Sequence, residues 1–262
     1  VDHSRIMVRW ERRTHKGLAY DLLFVRSGID YNPGIGFEMI DSYRAFRPMI
    51  KYGWLPENYN TVLRRHGLSQ TVLFLNSTVD GDLMTIRSMT GWEFETRKGL
   101  SGMISTIWSR EEVQDSIDFT QAQAPPGSYK FLACSLMLVT PAGRKVQSVL
   151  ISEAGQFYDG LKFSLMMMPQ INLSPSFNLS GTYRFDHVDF SDRNQSFSNH
   201  IIGIKPFLML STKFSISSFI QYNTAIDAFI INGRFRYNPR EGNDFYIVYN
   251  EGLNTDLYRE TP

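Results

Sequence analysis

The 262 residues carry 27 Lys and Arg against 26 Asp and Glu, with five His and one Cys, a pI near 8.0 and a mean hydropathy of -0.24. Near-neutrality without a basic block excludes polyelectrolyte recognition of nucleic acid, and the single Cys134 excludes an internal disulfide or a multi-cysteine zinc site. Apolar stretches such as Phe131 to Val139, interrupted by Ser135, fall far short of the roughly 20 residues of a spanning helix; hydropathy is silent on barrels, which alternate apolar with polar residues.

Taken in order, the chain reads as strands. Period-two alternation places them at Arg5 to Arg13, Leu18 to Ser27, Ser42 to Trp54, Thr61 to Ser77, Leu83 to Thr96, Ser101 to Val113, Tyr129 to Val139 and Lys145 to Glu153. A hairpin, Leu161 to Leu173 and Phe177 to Phe185, turns at Ser174-Pro175-Ser176. His200 to Leu210, Phe214 to Asn223, Ala228 to Tyr237 and Asp244 to Asn250 complete fourteen candidates. Leu161 to Leu173 spans thirteen residues and Phe177 to Phe185 nine; a tilted membrane strand needs about nine to eleven, whereas globular strands usually run to about five or six.

Connections alternate between tight and roomy. The tight set is Thr14-His15-Lys16, Leu55 to Tyr59, Lys98-Gly99, Pro141-Ala142-Gly143, Ser174-Pro175-Ser176, Ser211-Thr212-Lys213 and Asn238 to Asn243. The roomier set is Gly28 to Ile40, Thr78 to Asp82, Gln114 to Ser128, Ala154 to Gly160 and Ser191 to Asn199, with Thr224 to Asp227 a short exception. Outer-membrane barrels sort their connections this way, with short periplasmic turns and longer extracellular loops. Aromatic residues, 14% of the chain, gather near proposed strand ends, among them Trp54, Tyr59, Trp108, Phe157, Tyr158, Phe190, Tyr222, Tyr237 and Tyr249. Amphipathic rings favour membrane interfaces.

Parity assigns the faces. Leu161, Phe163, Leu165, Leu179 and Tyr183 fall on the apolar parity and are expected against lipid. Lys162, Arg184, Asp186, Arg234 and Arg236 fall on the polar parity and are expected to line a water-filled lumen, since an Arg at mid-depth on the lipid side costs about 2 to 4 kcal/mol. Pro169 and Pro206 sit on apolar parities inside strands, where each removes a ladder donor.

Catalytic patterns are missing. His3, His15, His66, His187 and His200 lack HExxH or regular ligand spacing, and neither Asp80-Gly81-Asp82 nor Asp186 to Asp192 has the EF-hand pattern. No GxSxG elbow, P-loop or strand-turn-helix GxGxxG occurs. Glu93 and Glu95 share a parity, but that spacing is too common in strands to indicate a glycosidase, and electrostatic tuning of a pore is the simpler role. The expectation is no enzyme, no metal and no cofactor.

Several segments carry a family resemblance: Tyr31-Asn32-Pro33-Gly34-Ile35-Gly36-Phe37, Pro125-Pro126-Gly127-Ser128-Tyr129, Gly155-Gln156-Phe157-Tyr158-Asp159-Gly160, Gln221-Tyr222-Asn223, Asn232 through Tyr237, and Val248-Tyr249-Asn250-Glu251. Together they resemble the C-terminal barrel, a domain of unknown function, of bacterial proteins with an N-terminal family-nine-like carbohydrate-binding domain. The resemblance implies a Gram-negative outer-membrane barrel with no catalytic residues to carry over. The sugar-binding domain, the first barrel strands and the closing strand beyond Asn250-Glu251-Gly252 have no counterpart here.

The resulting expectation is an all-β, antiparallel, up-and-down transmembrane barrel, one domain over 1–262, with about fourteen strands and incomplete at both ends. Its environment would be the outer-membrane bilayer and lipopolysaccharide, with other outer-membrane proteins and a carbohydrate ligand as possible partners. Three functions are open: a solute conduit, a membrane-anchored glycan-binding platform, and a soluble carbohydrate-active protein.

Overall fold

A computed structural model describes residues 2–34, 40–58, 60–119 and 122–254. Ile35, Gly36 and Phe37 of the first resemblance segment, and Tyr59, lie outside the described residues. The strands are β1 (Arg5–Arg12), β2 (Gly17–Ser27), β3 (Tyr43–Trp54), β4 (Leu63–Ser77), β5 (Leu83–Thr96) and β6 (Ser101–Val113), then two short strands, β7 (Ile117–Asp118) and β8 (Gln123–Ala124). They continue as β9 (Gly127–Val139), β10 (Val146–Phe157), β11 (Gly160–Ser174), β12 (Phe177–Phe190), β13 (Gln195–Met209), β14 (Phe214–Asn223), β15 (Ala228–Arg240) and β16 (Asn243–Asn254). β7 and β8 pair only with each other. The other fourteen make one antiparallel sheet whose spatial order is the order of the chain, so the fold is all-β and up-and-down.

Local chemistry accounts for the turns. Gly99 and Gly242 adopt φ of 83° and 82°, the left-handed region that closes a short hairpin connection at no steric cost. Thr96 anchors the first of these, its hydroxyl donating to the Leu100 carbonyl and accepting from the Leu100 amide.

Two expected loops are mostly strand. β10 runs on to Phe157 and β11 begins at Gly160, so Ala154 to Gly160 shrinks to a turn at Tyr158 and Asp159. Gly155 explains the error: it resembles a loop glycine, but a Cβ there would overlap the Ala133 Cα and the Leu132 carbonyl. It marks close approach of two strands. Similarly, β12 and β13 pair without interruption from Phe177↔Leu208 to Phe190↔Gln195, leaving only a 3-10 turn at Ser191–Arg193 where Ser191 to Asn199 was expected to loop. The polar run of Asp186 to Asp192 hides an alternation that buries Val188 and Phe190. The connections after β2 and β6 are roomy and that after β14 is short, as expected, whereas those after β10 and β12 are short against expectation and the one after β3, expected to be tight, is longer than the one after β4.

Prolines interrupt ladders without shifting register. β13 and β14 pair at Ile204↔Ile220, lapse beside Pro206, and resume at Phe207↔Ser217; β3 and β4 do the same at Pro48, between Phe46↔Phe74 and Met49↔Thr71. Pro169 packs on Gly181, where its ring finds space that a side chain would occupy.

The chain divides into two compact units: Val1–Leu136 with Ala154–Leu161, and Met137–Glu153 with Lys162–Pro262. Strands β9, β10 and β11 contribute to both.

Candidate functional site

In the first unit the register puts Ala19, Asp21, Leu23 and Val25 of β2 on one face with Arg9 and Glu11 of β1, Arg47 and Lys51 of β3, and Ser69 of β4. Farther along, Arg65, Glu93, Glu95, Ser105 and Glu111 continue that face. Charges there cancel across strands. Asp21, 5% exposed, accepts from Arg9 Nε and Nη2 at 2.9 Å each and from Arg47 Nη2 at 3.2 Å. Lys51 pairs with Glu93, and Glu95 receives Arg64 Nη1 at 2.9 Å and Arg65 Nε at 2.6 Å. Glu93 and Glu95, read from parity as pore-tuning carboxylates, are thus already matched by cations. Small side chains make this density possible: Gly53 faces Gly67, and Gly91 is in register with both Ser69 and Ser105. A Cβ on Gly67 would press on the Tyr52 carbonyl at 2.9 Å.

The opposite face of that unit is apolar and open. Val8, Trp10, Leu18, Phe46, Ile50, Tyr52, Leu68, Phe74, Ile104 and Trp108 are all exposed on it. Toward the short-turn ends of β3, β4 and β5 it carries a row of rings: Tyr52–Trp54 at 5.0 Å, Trp54–His66 stacked at 5.1 Å, His66–Trp92 at 6.4 Å and Trp92–Phe94 stacked at 4.9 Å. Its mid-strand polar residues satisfy one another, Gln70 Nε2 donating to Ser88 Oγ at 2.8 Å and Thr90 Oγ1 donating to Gln70 Oε1.

At the long-connection end of this unit, Tyr158 meets Tyr129, Phe131 and Phe157 at 5.1, 5.4 and 4.7 Å, with Phe119 at 5.9 Å. Its hydroxyl donates to Glu111 Oε2 at 2.9 Å, and burial together with that carboxylate pushes its pKa well above the ordinary tyrosine range. Phe157 and Tyr158 therefore pack in a cluster, and Phe190, 1% exposed, lies under the Arg193 guanidinium at 4.1 Å; none of the three forms an exposed belt. The Pro125 to Tyr129 segment ties the long connection down, Tyr129 Oη donating to the Pro125 carbonyl at 2.7 Å and Ser128 Oγ to Glu112 Oε1 at 2.7 Å. Beside it lies a cavity of about 780 Å³ bounded by Ile40, Asp82, Met84, Arg110, Glu112 and Asp115. Near the start of the chain, Asp2 accepts from the Ser4 hydroxyl and amide and pairs with Arg26, which together lower its pKa to about 2.

In the second unit the five residues expected to line a lumen share the polar parity of their strands. Lys162 Nζ donates to Glu153 Oε1 at 3.0 Å. Arg184 Nε binds Asp186 Oδ2 at 2.6 Å, while Ser164 Oγ donates to Asp186 Oδ1 at 2.7 Å. Arg236 Nε binds Asp244 Oδ1 at 2.6 Å, and Arg234 stands over the Tyr246 ring at 4.2 Å. Arg184 and Asp186 thus form one group and Arg234 and Arg236 border one cavity; Lys162 is paired apart from both. Sequence parity passed over Lys205, which falls on the same face opposite Ser180.

The apolar parity of the second unit carries Phe163, Leu165, Leu179 and Tyr183, with Leu161 preceding them on β11. Leu161 and Phe163 are exposed, whereas Leu165, Leu179 and Tyr183 are half-buried. Phe163 meets Phe185 at 6.1 Å, and Tyr183 meets the His200 ring, its hydroxyl 3.1 Å from Nδ1. Ring pairs mark both ends of this face: Phe214–Tyr237 at 4.5 Å near the turns after β13 and β15, Tyr222–Phe229 at 4.9 Å near the turn after β14.

No known family model, characterised protein or solved structure matches this chain, so the functional reading rests on its fold and side chains.

Proposed function

We propose that this chain is the spanning sheet of a bacterial outer-membrane β-barrel whose polar face lines a conduit for small solutes. The observation that carries this reading is the exposed apolar face set back to back with an ionic one. Water-soluble monomers rarely expose contiguous apolar patches beyond a few hundred Å², and covering a Leu or Phe side chain contributes about 1.5 to 3 kcal/mol. A bilayer supplies that cover along the full strand length. The main strands from β2 to β16 run to 10 to 15 residues, sufficient to cross hydrocarbon at a tilt. Ring rows near the strand ends fit the two interfaces. In this reading Leu161, Phe163, Leu165, Leu179 and Tyr183 meet lipid and lipopolysaccharide chains, while Lys162, Arg184, Asp186, Arg234 and Arg236 meet water. The short Ser174 to Ser176 turn lies on the periplasmic side.

The test is fractionation of the full-length protein, followed by gel migration with and without heating and by conductance after reconstitution. Membrane recovery, heat-modifiable migration and stepwise conductance are expected. Recovery in the aqueous phase without detergent overturns the membrane assignment; insertion without conductance or solute uptake overturns the conduit.

The cavity of about 780 Å³ at the long-connection end favours a second reading, a surface site for a glycan or other polar ligand on a barrel that serves as anchor. Ligand binding that disappears when 114–128 is shortened, in a protein that does not conduct, would select it.

A further inference from the structure

On the polar face of the second unit, three cations gather in one place. A cavity of about 290 Å³ opens near the turns that follow β13 and β15, lined by Phe207 and Met209, the 211–214 connection, Ser215, Ser217, Arg234, Arg236 and Tyr246. Three cations border it, Lys213, Arg234 and Arg236, and none of its lining residues is acidic. The neighbouring Asp244 is already engaged by Arg236 and by Asn238, whose Nδ2 donates to it at 3.0 Å. Among the described residues, Arg234 and Lys213 have no carboxylate partner.

That arrangement differs from Lys162 and Arg184 on the same face. Lys162 and Arg184 are held by Glu153 and Asp186, so each pair is internally satisfied. Arg234 is held by its ring plane: the Tyr246 face fixes the guanidinium at 4.2 Å without consuming its N–H donors. A guanidinium fork matches two oxygens of one oxyanion. Register adds neutral donors, since Ser217 lies opposite Arg234 and Ser215 opposite Arg236. Phe207 and Met209 give the cavity an apolar wall for a carbon skeleton.

We propose that this cavity is a binding subsite for a small organic oxyanion, with Arg234 taking two carboxylate or phosphoryl oxygens and Lys213 supplying the second positive charge. The subsite deepens the conduit reading by naming the solute class, and depends on that reading only for the solute's route. The volume limits the ligand to a molecule of roughly monosaccharide size.

Binding to the full-length protein in non-ionic detergent, free of lipid phosphate, provides the test. Gluconate, glucose 6-phosphate and uncharged glucose are titrated by calorimetry or ligand-observed NMR. Gluconate and glucose 6-phosphate should bind and glucose should not, the stronger of the two telling carboxylate from phosphoryl preference. Arg234→Gln should weaken anion binding at least tenfold, and Arg144→Gln, which removes the same charge from the turn between β9 and β10, outside the cavity lining, should leave it unchanged. Equal binding of glucose, equal weakening by both variants, or no binding of either anion overturns the subsite. Conductance is recorded separately: anion binding in a non-conducting protein sinks the conduit and keeps the subsite, while conductance without anion binding does the reverse.

Discussion

The two units solve the same problem differently. In the first, long connections follow β2 and β6, and the polar face is knitted by charges from neighbouring strands, with Asp21 shared by Arg9 and Arg47. In the second, the connections within Lys162–Pro262 are short, and its ion pairs form within a strand or across one hairpin, as with Arg184–Asp186 and Arg236–Asp244. Cross-strand matching leaves little uncompensated charge; local matching leaves Arg234, Lys205 and Lys213 over. The difference teaches that an ion network spread over several strands serves rigidity, whereas pairs closed locally leave neighbouring cations available.

The largest expected effect tests whether the two faces of the second unit meet different environments. Phe163→Arg should destabilise the folded protein in vesicles by about 2 to 4 kcal/mol by denaturant titration, with Gln221→Arg, on the polar face opposite Gly203 and Ile230, close to neutral. Equal effects of the two would remove the distinction between faces. Next, Asp21→Asn strips the shared carboxylate from two cations and should cost about 2 kcal/mol, while Asp244→Asn, in a more exposed pair, should cost less. A reversed order would contradict the contrast between knitted and local charge. Tyr158→Phe keeps the ring cluster and removes the bond to Glu111, for a loss of about 1 kcal/mol in the same titration.

The smallest effect is a pH response at the start of the first unit. Because the Asp2 pKa is depressed on folding, its contacts are fully present above the ordinary aspartate value near 4 and are lost as pH falls through about 2. Hydrogen exchange at the Asp30 amide, which donates to the Asp2 carbonyl at 3.0 Å, should quicken across that window and stay constant from pH 5 to 7. In Asp2→Asn the dependence should vanish.

Much of the sheet was legible from alternation. Leu83–Thr96, Ser101–Val113 and Phe214–Asn223 coincide with their expected limits, because each is bounded by turn-forming residues that end an alternating run. Strand ends rich in polar residues were not legible: the continuation of β12 through Asp189 and Phe190 depends on pairing with Gln195 and Ser196, which sequence parity does not register. The short β7–β8 hairpin inside 114–128 escaped for a similar reason, each strand being too brief to alternate. Of the site, parity grouped the five polar candidates but did not register their partners. Glu153 and Asp244 became visible only through cross-strand contact, and the grouping of Arg9, Asp21 and Arg47 needs three strands in register.

The interrupted ladders at Pro48 and Pro206 carry a consequence for assembly. Pairing survives the loss of a donor and resumes in step, so the alignment of these strands is dictated by which side chains tolerate oil and which demand water. Deleting an amide is forgiven there; a frameshift is not. One residue inserted before Arg47 in β3 would carry Arg47 and Lys51 onto the face of Tyr20 and Phe24 of β2 and Leu68 and Phe74 of β4, and every neighbour from β2 to β4 would oppose the slip.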